Sequence, residues 1–395
     1  MHSPIDMTGE WQQAPENTLK SLRHGILHSD GVEFDLRLTS DGELVIHHDS
    51  VVSIPEQERK GRPKWVDLWS LDELKEAGFT SFEDFIQDSI VKEQWIEHGK
   101  MACLEFKRPH LLSPNGRGLV NKSRQYQYMS KAIKLAEEIL DENEIPNENS
   151  VFYAFFRGMQ KVTEKSKIKR NWAELMPSIP SIGNRTFKRM YAYPQYMLMP
   201  FSRLAKRHRK SGASMIPCAI EYFSPLYGRA LIGRKVGLEK KNHNYLFSCQ
   251  KGMPTYVWPA KLELEHKILN AGLTGLTDHL DPELTWLPSG NARWNFPATM
   301  PLDKSQLELL NSATYDAHKS IIKQLKNEVP KWHECDKSRR IELVNWWRKK
   351  WRWDYSVDDI LSNTTRSPPW QSIRLIGHRG SGKTSRPVIK NNHLM

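Results

Sequence analysis

Glu33 and Asp35 stand two residues apart in VEFDL, and Glu105 and Lys107 stand two apart in LEFKRP. Two other segments end in a histidine beside a charged residue: His48 precedes Asp49, and His378 precedes Arg379 and Gly380. Side chains alternate across a strand, so Glu33 shares a face with Asp35, and Glu105 shares one with Lys107. Two carboxylates on one strand face repel unless a cation or strong donor lies between them. Oxygen ligands of this kind suit Mg²⁺ or Ca²⁺, with Mn²⁺ also admissible, better than zinc, for which the sequence has no His/Cys cluster. Histidine can take or give a proton near neutral pH, and a metal with cationic side chains can stabilise charge developing on phosphoryl oxygens. Cleavage of a phosphodiester would use this combination. Taken singly, each acid also fits a strand-end residue paired with Lys or Arg, and His48 fits a hydrogen-bonded surface residue.

Gly377 through Thr384 (GHRGSGKT) matches the P-loop pattern GxxxxGK[ST]. That motif needs a helix starting at its Lys-Thr to aim backbone N–H groups at phosphate. Here SRPVIKNNHLM follows, with a proline and no helical periodicity, so nucleotide hydrolysis is not expected.

Short apolar runs supply the strands that would position these residues. VEFDL, LVIHH, MACLEF, VFYAF, MIPCAIEYF, TYVW and LTGLTD alternate with helical patterns such as LDELKEAG, SKAIKLAEEILDENE and KLELEHKILNAG. In the last of these, Gly272 reads as a C-cap. Strand–helix alternation predicts a mainly parallel sheet, open or closed into a barrel. From Pro297 to Trp370 the pattern turns helical; after Ser367-Pro368-Pro369, SIRLIG reads as one more buried strand, whose most economical partner is an open place in the earlier sheet.

Length and charge bound the rest. The 395 residues, 38% hydrophobic and 26% charged, are those of a globular protein. Neither a membrane-spanning run nor a signal-peptide pattern is read, and the four scattered cysteines read as reduced, packed thiols, which together lead us to expect a cytoplasmic protein. Between Arg157 and Lys210, fourteen Lys and Arg face two acids, enough to account for the net charge of +12. A second basic stretch, rich in tryptophan, runs from Lys331 to Trp353. Such segments read either as solvated helix faces or as surfaces for anionic lipid or nucleic acid. For Trp346, Trp347, Trp351 and Trp353, burial against the main body is the expected role.

The chain resembles the glycerophosphodiester phosphodiesterase family, whose members are (β/α)8 TIM-type barrels. The residues carrying the resemblance are IGHRG at 376–380, PENT at 15–18, VEFDLRLTSDGELVIHHD at 32–49, LEFKRP at 104–109, YVWPAK at 256–261 and GLTGLTDHLDPE at 272–283. The resemblance implies Glu33, Asp35 and Glu105 as metal ligands, and His378 and His48 as an acid/base pair. It further implies Arg379 and Lys107 as phosphate contacts, Glu16 near the leaving group and Trp258 in the substrate pocket. Two local departures are plain: Pro259, Ala260 and Lys261 follow Trp258 where the family commonly has Thr-x-Asn, and His279-Leu280 follows Thr-Asp where it usually has Arg-Pro. The order also differs, because the His-Arg-Gly strand that usually opens the family's barrel comes last here.

The resemblance therefore implies a circularly permuted barrel. Residues 11–296 would hold strands two to eight, 297–370 a helical extension and return connection, and 371–395 the strand that completes the barrel. The implied activity is metal-dependent hydrolysis of glycerophosphodiesters to an alcohol and glycerol phosphate. Alternatives are a lysophospholipase D-like reaction, or a non-catalytic barrel that binds anionic lipid or nucleic acid. The expected partners are a small phosphodiester or lysophospholipid and, through the basic segments, a membrane surface; nucleic acid is not favoured.

Overall fold

The computed structural model describes residues 11–116, 122–176, 185–223, 236–362 and 364–384. Ten strands are formed among these: β1 Gly31–Leu38, β2 Leu44–Ile46, β3 Thr80–Ser81, β4 Met101–Phe106, β5 Ser150–Ala154, β6 Asn171–Glu174, β7 Ile216–Ala219, β8 Thr255–Ala260, β9 Thr274–Thr277 and β10 Leu375–Gly377. Eight of them run parallel in the order β6-β5-β4-β1-β10-β9-β8-β7. The remaining gap is closed by a parallel bridge between Met176 and Cys218 and a hydrogen bond from Ser214 N to Trp172 O (2.9 Å). The result is an eight-stranded parallel barrel with helices outside.

The alternation read from the sequence decides what faces inward. Phe34, Leu36, Ala102, Leu104, Phe106 and Phe152 point out and pack under the helices Leu19–His28, Phe82–Gln87 and Lys122–Glu142. Met101, Cys103, Val151, Tyr153, Tyr256, Leu276 and Ile376 fill the barrel interior. Glu33, Asp35 and Glu105 continue the inward rows toward the C-terminal ends of their strands, the end at which barrels of this kind carry their chemistry.

The last strand closes the ring. β10 pairs with β9 through Leu375↔Gly275 and Gly377↔Thr277, and with β1 through Val32↔Gly377. Asp30, just ahead of β1, fixes this junction: its buried carboxylate accepts from Leu375 N (3.2 Å), Ala298 N, Thr299 N and Thr299 Oγ1. Burial pushes the Asp30 carboxyl up, and the charge of buried Arg374 opposes that rise. Asp30→Ala would strand these donors and leave Arg374 without its counter-charge. We expect a loss of about 3–5 kcal/mol, read as a lower denaturant midpoint at unchanged slope.

LVIHH differs from the expectation. β2 runs antiparallel to β1 (Leu36↔Ile46, Leu38↔Leu44) and is not a barrel stave. Between them Gly42 adopts φ +93° and Thr39 N bonds Glu43 O at 2.9 Å, a tight hairpin that parallel strands cannot make. β6 had no counterpart among the apolar runs.

The stretch after Pro297 forms the helices Lys304–Ser312, His318–Glu328 and Lys337–Trp351. Trp332 stacks on Trp347 at 5.8 Å and Trp351 on Trp353 at 5.8 Å, and all four are buried with Phe247 and Ile373. The tryptophans are thus mainly core, with Trp346 at the cluster's edge. Within the first basic run, Arg170 is buried on Glu137 (3.0 Å) and Asp141 (2.8 Å), and Arg207 pairs with Glu174 (2.8 Å). Part of the charge excess therefore ties elements together. The four cysteines are buried free thiols. Among the described residues no helix is long and apolar enough to cross a membrane.

Candidate active site

β1 presents Glu33 and Asp35, and β4 beside it presents Glu105 in register with Asp35. Their carboxylate oxygens lie within 4.8 Å of one another, and all three residues are buried. Burial and the charge of Asp35 push the Glu33 carboxyl up to about 8, although His378 and Arg379 pull the other way. Asp35 is held well below the usual carboxylate range: burial alone would raise it, but Lys107 and Arg379 more than compensate. Burial raises Glu105 against the pull of Lys107.

Two cations converge on the acids. Lys107 Nζ reaches Asp35 Oδ1 at 2.8 Å and also contacts Glu105. Arg379 pairs through Nη1 with Glu16 Oε1 (2.8 Å) and lies 3.4 Å through Nε from Asp35 Oδ2. The Arg379 backbone N–H donates to Glu33 Oε2 at 2.9 Å, with Arg379 in the left-handed region at φ +55°. A non-glycine residue there is held by its surroundings. Glycine is required next, because a Cβ on Gly380 (φ +93°) would stand 2.5 Å from the backbone of Ser21 in the helix Leu19–His28.

The tail histidine stands among the acids of the head. His378 Nε2 is 3.7 Å from Glu33 Oε2, and its Nδ1 is 2.7 Å from Asp278 Oδ1. Burial alone would lower its pKa, but Asp278 and Glu33 raise it. Asp278 in turn is held below the carboxylate range: His378 and the Lys383 N–H outweigh its burial.

Other expected residues lie further out. Glu16 accepts from Arg379 and from Thr384 N (3.0 Å), so it braces the guanidinium and the segment behind it. His48 follows β2, half-exposed, with Nδ1 3.0 Å from Asp49 Oδ1 and its carbonyl accepting from Arg37 Nη2 at 2.7 Å. Trp258 is partly buried on β8, edge-on to Phe155 with ring centroids 5.9 Å apart.

Three contributors were not singled out from sequence: Asp278, Asn17 and Arg37. Asn17 grips Asp35 twice, Nδ2 to Oδ2 at 2.8 Å and Oδ1 from the backbone N at 3.2 Å. It does so from φ +60°, which Asn tolerates better than most residues. The signals were present, since Asn17 lies in PENT and Asp278 ends a strand as His378 does.

These residues fit a divalent cation. The donor set is all oxygen, and Asp35 Oδ1 receives no aligned hydrogen bond although Lys107 lies beside it. Five carboxylates (Glu16, Glu33, Asp35, Glu105, Asp278) face Lys107, Arg379 and one imidazole, leaving an excess of negative charge when all are ionised. The P-loop reading has no support among the described residues. No helix begins within the described part of the motif, Gly377–Thr384, where Thr384 Oγ1 accepts from Glu16 N at 3.1 Å; the following SRPVIKNNHLM lies outside the described residues.

Comparison with known proteins adds the following. Residues 9–191 match the sequence model described as the Glycerophosphoryl diester phosphodiesterase family. A glycerophosphodiester phosphodiesterase of Caldanaerobacter subterraneus subsp. tengcongensis is 34% identical over 134 residues, 32% of this chain and 54% of that protein. The chain thus spans about half the length of this relative. A glycerophosphodiester phosphodiesterase of Thermotoga maritima superposes with a TM-score of 0.41 at 16% identity, over 71% of this chain and 96% of that one. An Oleispira antarctica phosphodiesterase in complex with the product sn-glycerol-3-phosphate gives 0.42 at 17% identity, over 67% and 88%.

Proposed function

From the match of residues 9–191 to the glycerophosphoryl diester phosphodiesterase family we propose that the chain is a member of it and hydrolyses glycerophosphodiesters to an alcohol and glycerol phosphate. The observation that carries the reading is the convergence of His378 and Arg379 from the end of the chain on Glu33 and Asp35 from its beginning. In the proposed site Glu33, Asp35 and Glu105 hold a divalent cation (Mg²⁺, Ca²⁺ or Mn²⁺). Bound there, the ion would act as a Lewis acid on the phosphoryl group. Arg379 and Lys107 take phosphate oxygens, positioned by Glu16 and by the acids they already touch. His378, its Nδ1 committed to Asp278, turns Nε2 to the reacting atoms, and His48 is the second member of the acid/base pair. One imidazole takes a proton from the attacking hydroxyl and the other gives one to the departing alcohol. Trp258 lines the pocket. We read the order of the motifs as a circular permutation of the family's, with β10 as its displaced first strand.

The test is turnover of glycerophosphocholine or glycerophosphoethanolamine by purified protein with each of the three cations; a folded protein inactive with all of them refutes the reading. Metal binding has its own readout. Glu33 retains a proton up to about 8 in the folded chain but loses it in the ordinary carboxylate range when unfolded. Stability of the metal-free protein therefore falls as pH rises between those values. A bound cation displaces that proton, so the metal-induced rise in Tm should be larger at about pH 8.5 than at about pH 6. A rise that is equal at both, or absent, counts against the three-carboxylate site.

One observation favours a second, amphiphilic substrate class. Along the helix Arg185–Leu198, Phe187, Met190, Tyr191 and Leu198 are exposed, and Leu112 is exposed in the loop after β4. Tyr191 is near enough to Arg108, the residue after Lys107, to act on its charge. A lysophospholipid chain, or the membrane carrying it, would find its contact there. On this reading Met190→Ser with Leu198→Ser lowers kcat/KM for lysophosphatidylcholine and leaves that for glycerophosphocholine unchanged.

A further inference from the structure

Alternation along β1 puts Arg37 on the face that carries Glu33 and Asp35, one step further toward the barrel mouth. Arg37 is 5% exposed. Its Nη2 donates to His48 O at 2.7 Å and its Nη1 to Arg108 O at 3.1 Å. One guanidinium thus bridges the loop after β2 to the loop after β4. Burial pulls its pKa down, and Tyr128, Asp35, Asp49 and Asp67 act the other way.

The two loops depend on this bridge unequally. Lys107 is held without it, because its N bonds Leu36 O at 2.9 Å and its Nζ lies 2.8 Å from Asp35 Oδ1. His48 is placed differently. β2 ends at Ile46 and is no stave of the barrel, and backbone pairing to β1 reaches His47, whose N bonds Asp35 O at 2.8 Å. His48 comes next, and its carbonyl is where Arg37 takes hold. Further out the same two loops meet again, through Trp65 stacked on His110 at 4.3 Å and Asn115 Nδ2 on Asp67 O at 3.2 Å. Loss of the fork would therefore release the backbone at His48 while the rim stays joined.

We propose that Arg37 is a positioning residue: its planar fork fixes the backbone of His48, and with it the place of that imidazole relative to the reacting phosphoryl group. The role rests on the reading of His48 as one of the acid/base pair. Lysine at this position keeps the charge but offers a point donor, which cannot hold both carbonyls in the geometry of the fork.

Kinetics of the intact protein with glycerophosphocholine test it. Arg37→Lys should lower kcat about 10–100-fold, the scale of an ångström-sized misplacement of a catalytic group, and leave KM within about threefold. In a His48→Ala background the same change should cost less than about threefold more, since the group it positions is gone. The metal-induced rise in Tm should match the parent's, because Glu33, Asp35 and Glu105 keep their places. A general loosening of the site would instead raise KM, shrink the metal response and lower activity further in the His48→Ala background. Arg37→Gln, which keeps an amide donor, answers the same questions should Arg37→Lys not melt cooperatively. A kcat within about threefold of the parent's, or a loss that multiplies with that of His48→Ala, overturns the assignment. Failure of the underlying reading shows separately: a parent inactive with every cation, or His48→Ala as active as the parent, removes His48 from the chemistry and the role of Arg37 with it.

Discussion

His378→Ala is expected to lower kcat for a glycerophosphodiester about 10²–10⁴-fold while KM changes little, the usual range for loss of a positioned acid/base group. The imidazole is fixed at one nitrogen by Asp278 and faces Glu33 with the other. Its removal takes away a proton carrier without touching the backbone pairing that seats β10, which runs through Leu375 and Gly377. The variant should therefore melt close to the parent. Asp278→Asn provides the discriminating companion, since it keeps a hydrogen-bonding partner but removes the charge that raises His378 and favours one tautomer. It should be impaired less than His378→Ala and should not add to it in the double variant, because the two act as a unit. If His378→Ala retains more than about a third of the parent kcat, acid–base transfer at this position is ruled out.

The part of this site written in strands was readable from the chain. Alternation alone places Glu33 with Asp35 and Glu105 with Lys107, and the barrel only had to set β1 beside β4 to bring the pairs together. Asp278 was less legible because its role depends on a partner 100 residues away, and a strand-end acid has no intrinsic function. Asn17 depends on a backbone conformation that the sequence permits but does not announce. β6 escaped notice because Asn171–Glu174 begins and ends in polar residues inside a basic run. Its Ala173 is buried in the barrel interior, and pairing with β5 made this a strand where local propensity did not. β2 is the reverse case. Asp41-Gly42 between two apolar runs is a hairpin signal, and weighed against the strand–helix alternation it would have given the antiparallel direction.

Truncation after Trp370 should cost the fold as well as the activity. The missing segment carries Ile373, Leu375 and Ile376, all buried, and each contributes about 1.5–3 kcal/mol by burial. That sum is comparable with the whole stability of an ordinary domain, about 5–15 kcal/mol. The backbone loss compounds it: Gly275 N to Arg374 O, Asp30 N to Leu375 O, His378 N to Thr277 O and Asn17 N to Arg379 O all disappear. β1 and β9 would then face each other across an open slot with unpaired edges, an invitation to aggregate. A fragment ending at Trp370 should lose its cooperative melt and all turnover, and a peptide spanning 371–384 added in trans should restore part of both. Rescue by that peptide but not by one bearing His378→Ala would separate the two contributions of the segment: the strand supports the barrel, and the imidazole supports the chemistry. A fragment that melts cooperatively and turns over substrate without the peptide would mean that neither the barrel nor its acid–base chemistry needs β10.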